Sequence, residues 1–191
     1  MINKLIYLAF LFLFIMIGCN SPNESYLEVE QYYPMRIGNE WEYTTNGSNV
    51  IEKIIDTLTI HGKLFFGFTN GTGETKYWMR ESNGKLYYLN LNDSTEFILF
   101  DFANSKGTSW ELPSGYECGF GIGITLISKT DTIVTSTERY FNCYHFRHQK
   151  VCMDAGMYDT WIVKGIGKVK YTFETYFGNQ VYVLKNYNII E

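Results

Sequence analysis

Polar and apolar residues alternate along most of the chain after residue 32, and this period of two predicts β-strands. The clearest example is the segment 168–174. Its apolar face carries Val169, Tyr171 and Phe173, and the polar residues between them, beginning with Lys168, form the other face. We therefore predict a half-buried antiparallel strand whose polar face, Lys168 included, lies in solvent.

Turn signals separate the predicted strands: Asn46-Gly47, Asn70-Gly71, Asn83-Gly84 and Asn92-Asp93. Asn-Gly readily adopts the positive φ values of tight hairpins. The segment Trp78–Leu91 is the clearest hairpin. The pattern predicts twelve strands, near 40–46, 50–60, 63–69, 75–81, 85–91, 95–102, 122–129, 131–136, 139–148, 158–164, 167–176 and 180–187. Since closure protects sheet edges, we expect an all-β fold, a single-domain antiparallel meander forming a strongly curved sheet or barrel.

An unbroken apolar run of thirteen residues, Leu5–Ile17, follows Lys4 near the amino terminus. A bilayer-spanning helix needs about 20 such residues, so this run is too short to span. It has instead the charged start and short apolar stretch of a secretory signal. We predict a signal peptide over 1–18, a lipidated cysteine and flexible tether over 19–31, and the β domain over 32–191.

The end of this leader, Met16-Ile17-Gly18-Cys19, resembles a bacterial lipobox. The resemblance implies cleavage between Gly18 and Cys19 and acylation of Cys19, which anchors the protein to the membrane by palmitate-type chains. Asn20 after the lipidated residue favours the outer membrane, and the orientation towards periplasm or cell surface stays open. The alternatives are a plain secretory signal with an incidental cysteine, or a buried helix.

The net charge of the chain limits the classes of partner it can bind. The chain carries a net charge of −4, and loss of Lys4 with the leader makes the mature protein more acidic. This charge argues against nucleic-acid binding. Of the cysteines besides Cys19, Cys143 and Cys152 are nearest to each other in sequence, and a disulfide between them is the first candidate. Pairing of either cysteine with Cys118 stays open.

Three segments resemble a family of exported bacterial lipoproteins of unknown function, of the Bacteroidetes type. Pro34–Tyr43 resembles its PLxxGxxWxY opening, Phe141–Phe146 its FxNCYxF strand, and Trp161–Val169 its WxxxGxGxV element. The resemblance implies an all-β exported lipoprotein and transfers no catalytic residues. Separately, Gly38-x-x-Trp41-Glu42 recurs as Gly107-x-x-Trp110-Glu111, which we attribute to chance in preference to two related halves.

The densest group of reactive side chains is Cys143, His145, His148 and Cys152. On a strand, Cys143 and His145 share one face and His148 points to the other, so the group does not converge on a zinc ion. We expect polar histidines at a strand edge, no metal and no cofactor. No nucleophile motif appears, so we predict no catalytic residues. An envelope enzyme, metal-assisted through His145 and Cys152, is the third-ranked alternative.

The aromatic residues, 18% of the chain, are the feature with most functional potential. They can pack a β core, form an exposed strip that contacts glycans, or line a cavity for an apolar ligand. As candidate ligand-contact residues we name Trp41, Trp78, Trp110 and Trp161. The first hypothesis is a non-catalytic module that binds or scaffolds a protein or glycan partner at the cell envelope. The alternative is a periplasmic carrier of a lipid or other apolar ligand.

Overall fold

The computed structural model describes residues 31–71, 73–113, 122–150, 156–175 and 178–190. Twelve antiparallel strands form one sheet within them, and the described residues contain no helix. The strands are β1 Glu40–Thr45, β2 Ser48–Ile60, β3 Lys63–Thr69, β4 Tyr77–Ser82, β5 Lys85–Asn90, β6 Thr95–Asp101, β7 Ser109–Leu112, β8 Ile122–Val134, β9 Arg139–Lys150, β10 Met157–Val163, β11 Gly167–Thr175 and β12 Gly178–Asn188.

The strand order is β6-β5-β4-β3-β2-β1-β12-β11-β10-β9-β8-β7, so consecutive strands pair with each other except β6 and β7, which form the two edges, and β1 pairs with β12. The sheet curls until its two edges, β6 and β7, approach each other. There the Trp110 indole N–H donates to the carbonyl oxygen of Ile98 at 2.9 Å, and the Phe100 ring lies 4.7 Å from that of Phe146. The predicted all-β antiparallel meander, forming a strongly curved sheet or barrel, is confirmed, and the sheet is nearly closed.

The predicted hairpin turns follow from Asn-Gly backbone preferences. Asn46-Gly47 has φ of 46° and 80°, and Asn83-Gly84 has φ of 53° and 66°. Positive φ at both central residues is the type I′ geometry, whose twist matches that of the flanking strands. The β4–β5 hairpin within Trp78–Leu91 is confirmed, with Met79 opposite Tyr88.

Two strand predictions were wrong. The segments 122–129 and 131–136 are one continuous strand, β8, and the predicted break at residue 130 does not exist. The polar run there stays in the sheet because β8 is irregular against β9, with register shifts between Leu126 and Ser128 and again around Asp131. The prediction also missed β7, because four residues are too few to establish a period of two.

The core lies inside the curled sheet, and strands from all parts of the described chain contribute large side chains to it. Trp41 and Tyr43 on β1 are fully buried and reach across β12. The Trp41 indole N–H donates to the Ile166 carbonyl oxygen at 2.6 Å, and the Tyr43 hydroxyl donates to that of Lys168 at 3.0 Å. These bonds fasten the β10–β11 hairpin to β1, the first strand of the chain.

The repeated Gly-x-x-Trp element has the same local structure in both places. The Gly38 N–H donates to the Ile54 carbonyl oxygen at 2.8 Å, and the Gly107 N–H donates to that of Leu126 at 2.7 Å. Both glycines have positive φ, 96° and 85°. Each element introduces the first strand of a six-strand half of the sheet, a correspondence that favours two related halves over chance.

The predicted leader 1–18, the cleavage site at Gly18 and Cys19, and all of the tether except residue 31 lie outside the described residues. In the part of the chain that the structure describes, no helix has the length and apolar character needed to span a membrane.

Candidate ligand cavity

A cavity of about 450 Å³ opens inside the curled sheet. Strands β4 to β7 form one wall, and strands β9 to β11 form the other. Seven aromatic side chains line it: Tyr33, Tyr77, Tyr88, Phe100, Tyr158, Tyr171 and Phe173. The remaining lining residues are Met79, Leu86, Leu99, Leu112, His148, Thr160, Lys168 and Thr172. The interior is therefore a mainly apolar, aromatic pocket with a few polar groups, which is typical of small-molecule sites.

His148 is the most unusual polar group in this lining. It lies opposite Tyr158 in the β9–β10 ladder and is only 1% exposed. Its ring stacks on that of Tyr158 at 4.2 Å and meets the Phe100 ring edge to face at 5.4 Å. Neither ring nitrogen has a hydrogen-bond partner among the described residues. Burial lowers the pKa of His148 to about 3, so the imidazole is neutral at physiological pH.

Lys168, the one charged side chain among the described lining residues, is neutralised by a carboxylate. Its ammonium lies 3.1 Å from a carboxylate oxygen of Glu52, which is 6% exposed. The Tyr33 hydroxyl donates to the same oxygen at 3.4 Å. The Lys168 ammonium also lies 4.6 Å from the centre of the Tyr171 ring, a distance suited to a cation–π contact.

The inward position of Lys168 corrects the expectation that it faces solvent. The β10–β11 ladder pairs Trp161 with Lys170 but Ile162 with Lys168, so one extra residue stands on β11 at this point. Such a bulge reverses the alternation of faces on one side of it. Lys168 therefore shares the inner face with the fully buried Ile162.

His145 and His148 lie on opposite faces of β9, as their spacing predicts. On the outer face, His145 Nε2 lies 2.9 Å from Asp159 Oδ1 and its Nδ1 lies 3.3 Å from Asp131 Oδ2. The Arg147 guanidinium donates to Asp159 at 2.9 Å. Although burial acts to raise it, the pKa of Asp159 is held below its ordinary value by the hydrogen bonds from His145 and Arg147.

The expectation of edge histidines was wrong, because β9 is an inner strand of the sheet and both side chains are buried. Among the described residues, no three or more histidine, cysteine or carboxylate side chains form a group that would hold a metal ion. Cys143 is fully buried. Its thiol donates to the Tyr140 carbonyl oxygen at 3.5 Å, and burial raises its pKa. Cys152 lies outside the described residues, so its pairing with Cys143 stays a prediction.

The four tryptophans pack within the sheet. Trp41 is fully buried against Tyr33, and Trp161 is 9% exposed and stacks on His145 at 4.3 Å. Trp78 and Trp110 are half-buried. None of the four belongs to the described lining of the cavity, and ligand contact by them stays a prediction.

Sequence reasoning did not predict that His148 and Lys168 supply polar groups to the cavity, or that Glu52 pairs with Lys168. Glu52 carries the one available signal: it is a lone carboxylate between the apolar residues Ile51 and Ile54 of β2. It lies opposite the core residue Trp41, which places it on the buried face.

No protein-family model matches the sequence, and no curated protein matches it. Two solved structures are similar. One is of a protein assigned as exported, with a YmcC-like fold, from Bacteroides fragilis; it has 11% identity and a TM-score of 0.44, covering 83% of this chain and 99% of that one. The other is of a protein assigned as a lipoprotein from Parabacteroides distasonis, with 12% identity, a TM-score of 0.42 and the same coverage of both chains.

Proposed function

We propose that this protein is a lipid-anchored protein of the bacterial cell envelope whose curled sheet binds an apolar small molecule inside it, without catalysis. The observation that carries the proposal is the cavity of about 450 Å³ with its aromatic lining. Small-molecule sites commonly have volumes of about 300–1,000 Å³ and a mostly apolar lining with few polar groups. Volume and lining both fit that class.

The placement of the aromatic rings favours an internal ligand over a glycan strip on the surface. Tyr158 and Tyr171 line the cavity. Of the candidate ligand-contact tryptophans, Trp41 and Trp161 are buried in the sheet and the other two are half-buried. Stacking on flat aromatic walls and burial of apolar area would both stabilise an enclosed ligand.

The proposed anchor places this cavity close to a source of apolar molecules. Acyl chains on Cys19 would hold the protein at a membrane, since two or more chains anchor stably. Twelve residues separate Cys19 from Tyr32, and so short a chain spans at most about 45 Å. The curled sheet would therefore stay within that distance of the bilayer surface.

The lining also supports a binding role rather than hydrolysis. Among the described lining residues, no carboxylate and no cysteine accompanies His148. A histidine that acts as a general base normally has a nucleophile or an orienting acid within hydrogen-bond reach.

Photolabelling of the full-length protein in native membranes tests the proposal. The probe is 3-trifluoromethyl-3-phenyldiazirine, an uncharged apolar compound that forms a carbene under light, and labelled peptides are mapped by mass spectrometry. We expect label on inward residues of β6, β10 and β11, such as Leu99, Tyr158 and Thr172. Label confined to outward residues such as Leu64 and Val134 would contradict the proposal.

A matched pair of variants separates cavity labelling from surface labelling. Leu99→Trp puts extra volume into the cavity lining, whereas Leu64→Trp puts the same side chain on the outside, where Leu64 is 49% exposed. We expect labelling of Tyr158 to fall several-fold in Leu99→Trp and to remain unchanged in Leu64→Trp.

A further inference from the structure

We infer that the ligand this cavity selects is an uncharged apolar molecule that carries a hydroxyl group, bound through a hydrogen bond to His148. The inference rests on the proposed function, namely that the cavity takes an apolar ligand, and specifies the chemistry of that ligand.

We infer a hydroxyl group on the ligand because the His148 side chain is buried and makes no hydrogen bond within the described residues. Its imidazole is almost completely buried against Phe100 and Tyr158, it lines the cavity, and neither nitrogen has a hydrogen-bond partner among the described residues. A neutral imidazole has one N–H donor and one acceptor nitrogen. A hydroxyl both donates and accepts, so it can bind either nitrogen in either tautomer. Leaving buried polar groups unpaired is costly, and a ligand hydroxyl removes part of that cost.

The ion pair of Lys168 with Glu52 at the cavity wall is the reason to expect a ligand without charge. Lys168 is the one cationic side chain among the described lining residues, and its ammonium already faces the Glu52 carboxylate at 3.1 Å. The Tyr33 hydroxyl adds a donor to that carboxylate. An anionic ligand would therefore have to be buried without a free counter-charge. A cationic ligand would likewise meet no free carboxylate, because the described lining has none and Glu52 is already paired. Both are strongly unfavourable.

Three probes with one aromatic skeleton test both parts of the inference. They are naphthalene, 2-naphthol and 2-naphthoate, which at pH 7 present no polar group, a neutral hydroxyl and a carboxylate. The full-length protein in phospholipid nanodiscs is titrated by calorimetry, with empty nanodiscs as the blank. We expect 2-naphthol to bind at least about tenfold more tightly than either of the other two, the effect of one well-made hydrogen bond in a buried site.

The outcomes separate this inference from the proposed function. Naphthalene binding as tightly as 2-naphthol, or 2-naphthoate binding most tightly, overturns the inference and leaves the cavity as an apolar site. No binding of any probe contradicts the proposed function and the inference with it.

Two variants locate the selectivity. His148→Phe keeps a ring and removes both nitrogens, so the preference for 2-naphthol over naphthalene should disappear while naphthalene still binds. His61→Asn is the matched control, because His61 is exposed in the β2–β3 turn and Asn tolerates its positive φ of 50°. This control should keep the preference.

A third variant, Glu52→Gln, tests the charge argument independently. Gln can still accept the Tyr33 hydroxyl, but it no longer neutralises Lys168. We expect binding of 2-naphthoate to tighten at least about tenfold relative to wild type, with circular dichroism confirming the fold. Unchanged binding of 2-naphthoate by the folded variant would overturn the assignment of an uncharged ligand.

Discussion

The ammonium of Lys168 and the carboxylate of Glu52 form an ion pair at 3.1 Å inside the curled sheet, although 116 residues separate them in sequence. Glu52 lies on β2 and Lys168 on β11, with β1 and β12 between them in the sheet. The pair therefore joins strands from the two ends of the chain on the inner face. It also sets the electrostatics of the cavity, because it cancels the charge of Lys168.

Breaking this pair from one side should destabilise the protein. Removing one partner of a buried ion pair leaves an uncompensated charge and costs about 3–5 kcal/mol, and the partial exposure of Lys168, 21% for its side chain, places the expected loss at the lower end. We expect Lys168→Met to lower the free energy of unfolding by about 3 kcal/mol in urea titrations. The double variant Glu52→Gln/Lys168→Met should recover part of this loss, and strictly additive losses would contradict a direct pair.

His148 should make stability depend on pH in a defined window. Its pKa falls from an ordinary 6.5 to about 3 on folding, with burial the main cause, attraction by Asp159 opposing it and repulsion by Lys168 adding to it. Between these values the unfolded chain binds a proton that the folded chain does not, so stability falls as the pH falls. From pH 6.5 to pH 4.5 we expect a loss of about 2–3 kcal/mol.

The His148→Phe variant isolates this effect. The difference in unfolding free energy between wild type and variant should grow in favour of the variant as the pH falls through this window. At pH 7 the variant should be at least as stable, because it buries no unpaired nitrogens. Carboxylates with lowered pKa, such as Asp131 and Asp159, lose their contribution mainly below about pH 4.5. Parallel pH curves for wild type and variant would contradict the prediction.

Two glycines where β10 connects to β11, Gly165 in the turn and Gly167 at the start of β11, should respond differently to the same substitution. Gly165 and Gly167 have positive φ, 79° and 96°, and Asn is the side chain that best tolerates this region. A Cβ atom at Gly165 meets nothing within 4 Å, whereas one at Gly167 lies 3.2 Å from the Tyr33 ring. We expect Gly167→Asn to lower the unfolding free energy by about 1–3 kcal/mol more than Gly165→Asn, because overpacking displaces Tyr33. Equal losses in urea titration would contradict this packing argument.

The lipid anchor predicted at Cys19 is testable by intact mass. Protein extracted from cell envelopes should lack residues 1–18 and carry the added mass of diacylglyceryl and acyl groups. The Cys19→Ser variant has no thiol to acylate, so it should carry no acyl mass and keep its leader. A wild-type protein that retains Met1 would contradict the lipobox assignment.

The strands were predictable because local signals determine them. Asn46-Gly47 and Asn83-Gly84 specify hairpin turns from two residues each, and alternation specifies the faces of regular strands. The cavity was not predictable in the same way. Lys168 points inward because of a bulge opposite Trp161 and Ile162, and a period of two cannot reveal an extra residue.

The buried position of His148 could not be predicted from the sequence for a different reason. Alternation correctly separates it from His145, yet it does not say which face of β9 is inside or whether the strand is at an edge. That information comes from the pairing of β9 with β8 and β10 and from the curl of the whole sheet. The ion pair of Glu52 with Lys168 likewise arises only when β1 and β12 close the two ends of the chain together.

The most direct test is a crystal structure of the full-length protein purified from its own cell envelope, with its small-molecule content determined by mass spectrometry. The account predicts electron density for an uncharged organic molecule between Tyr158 and Tyr171, with a hydroxyl oxygen within hydrogen-bond distance of a His148 nitrogen. A cavity filled by the protein's own side chains, with no organic molecule recovered from the purified protein, would contradict it.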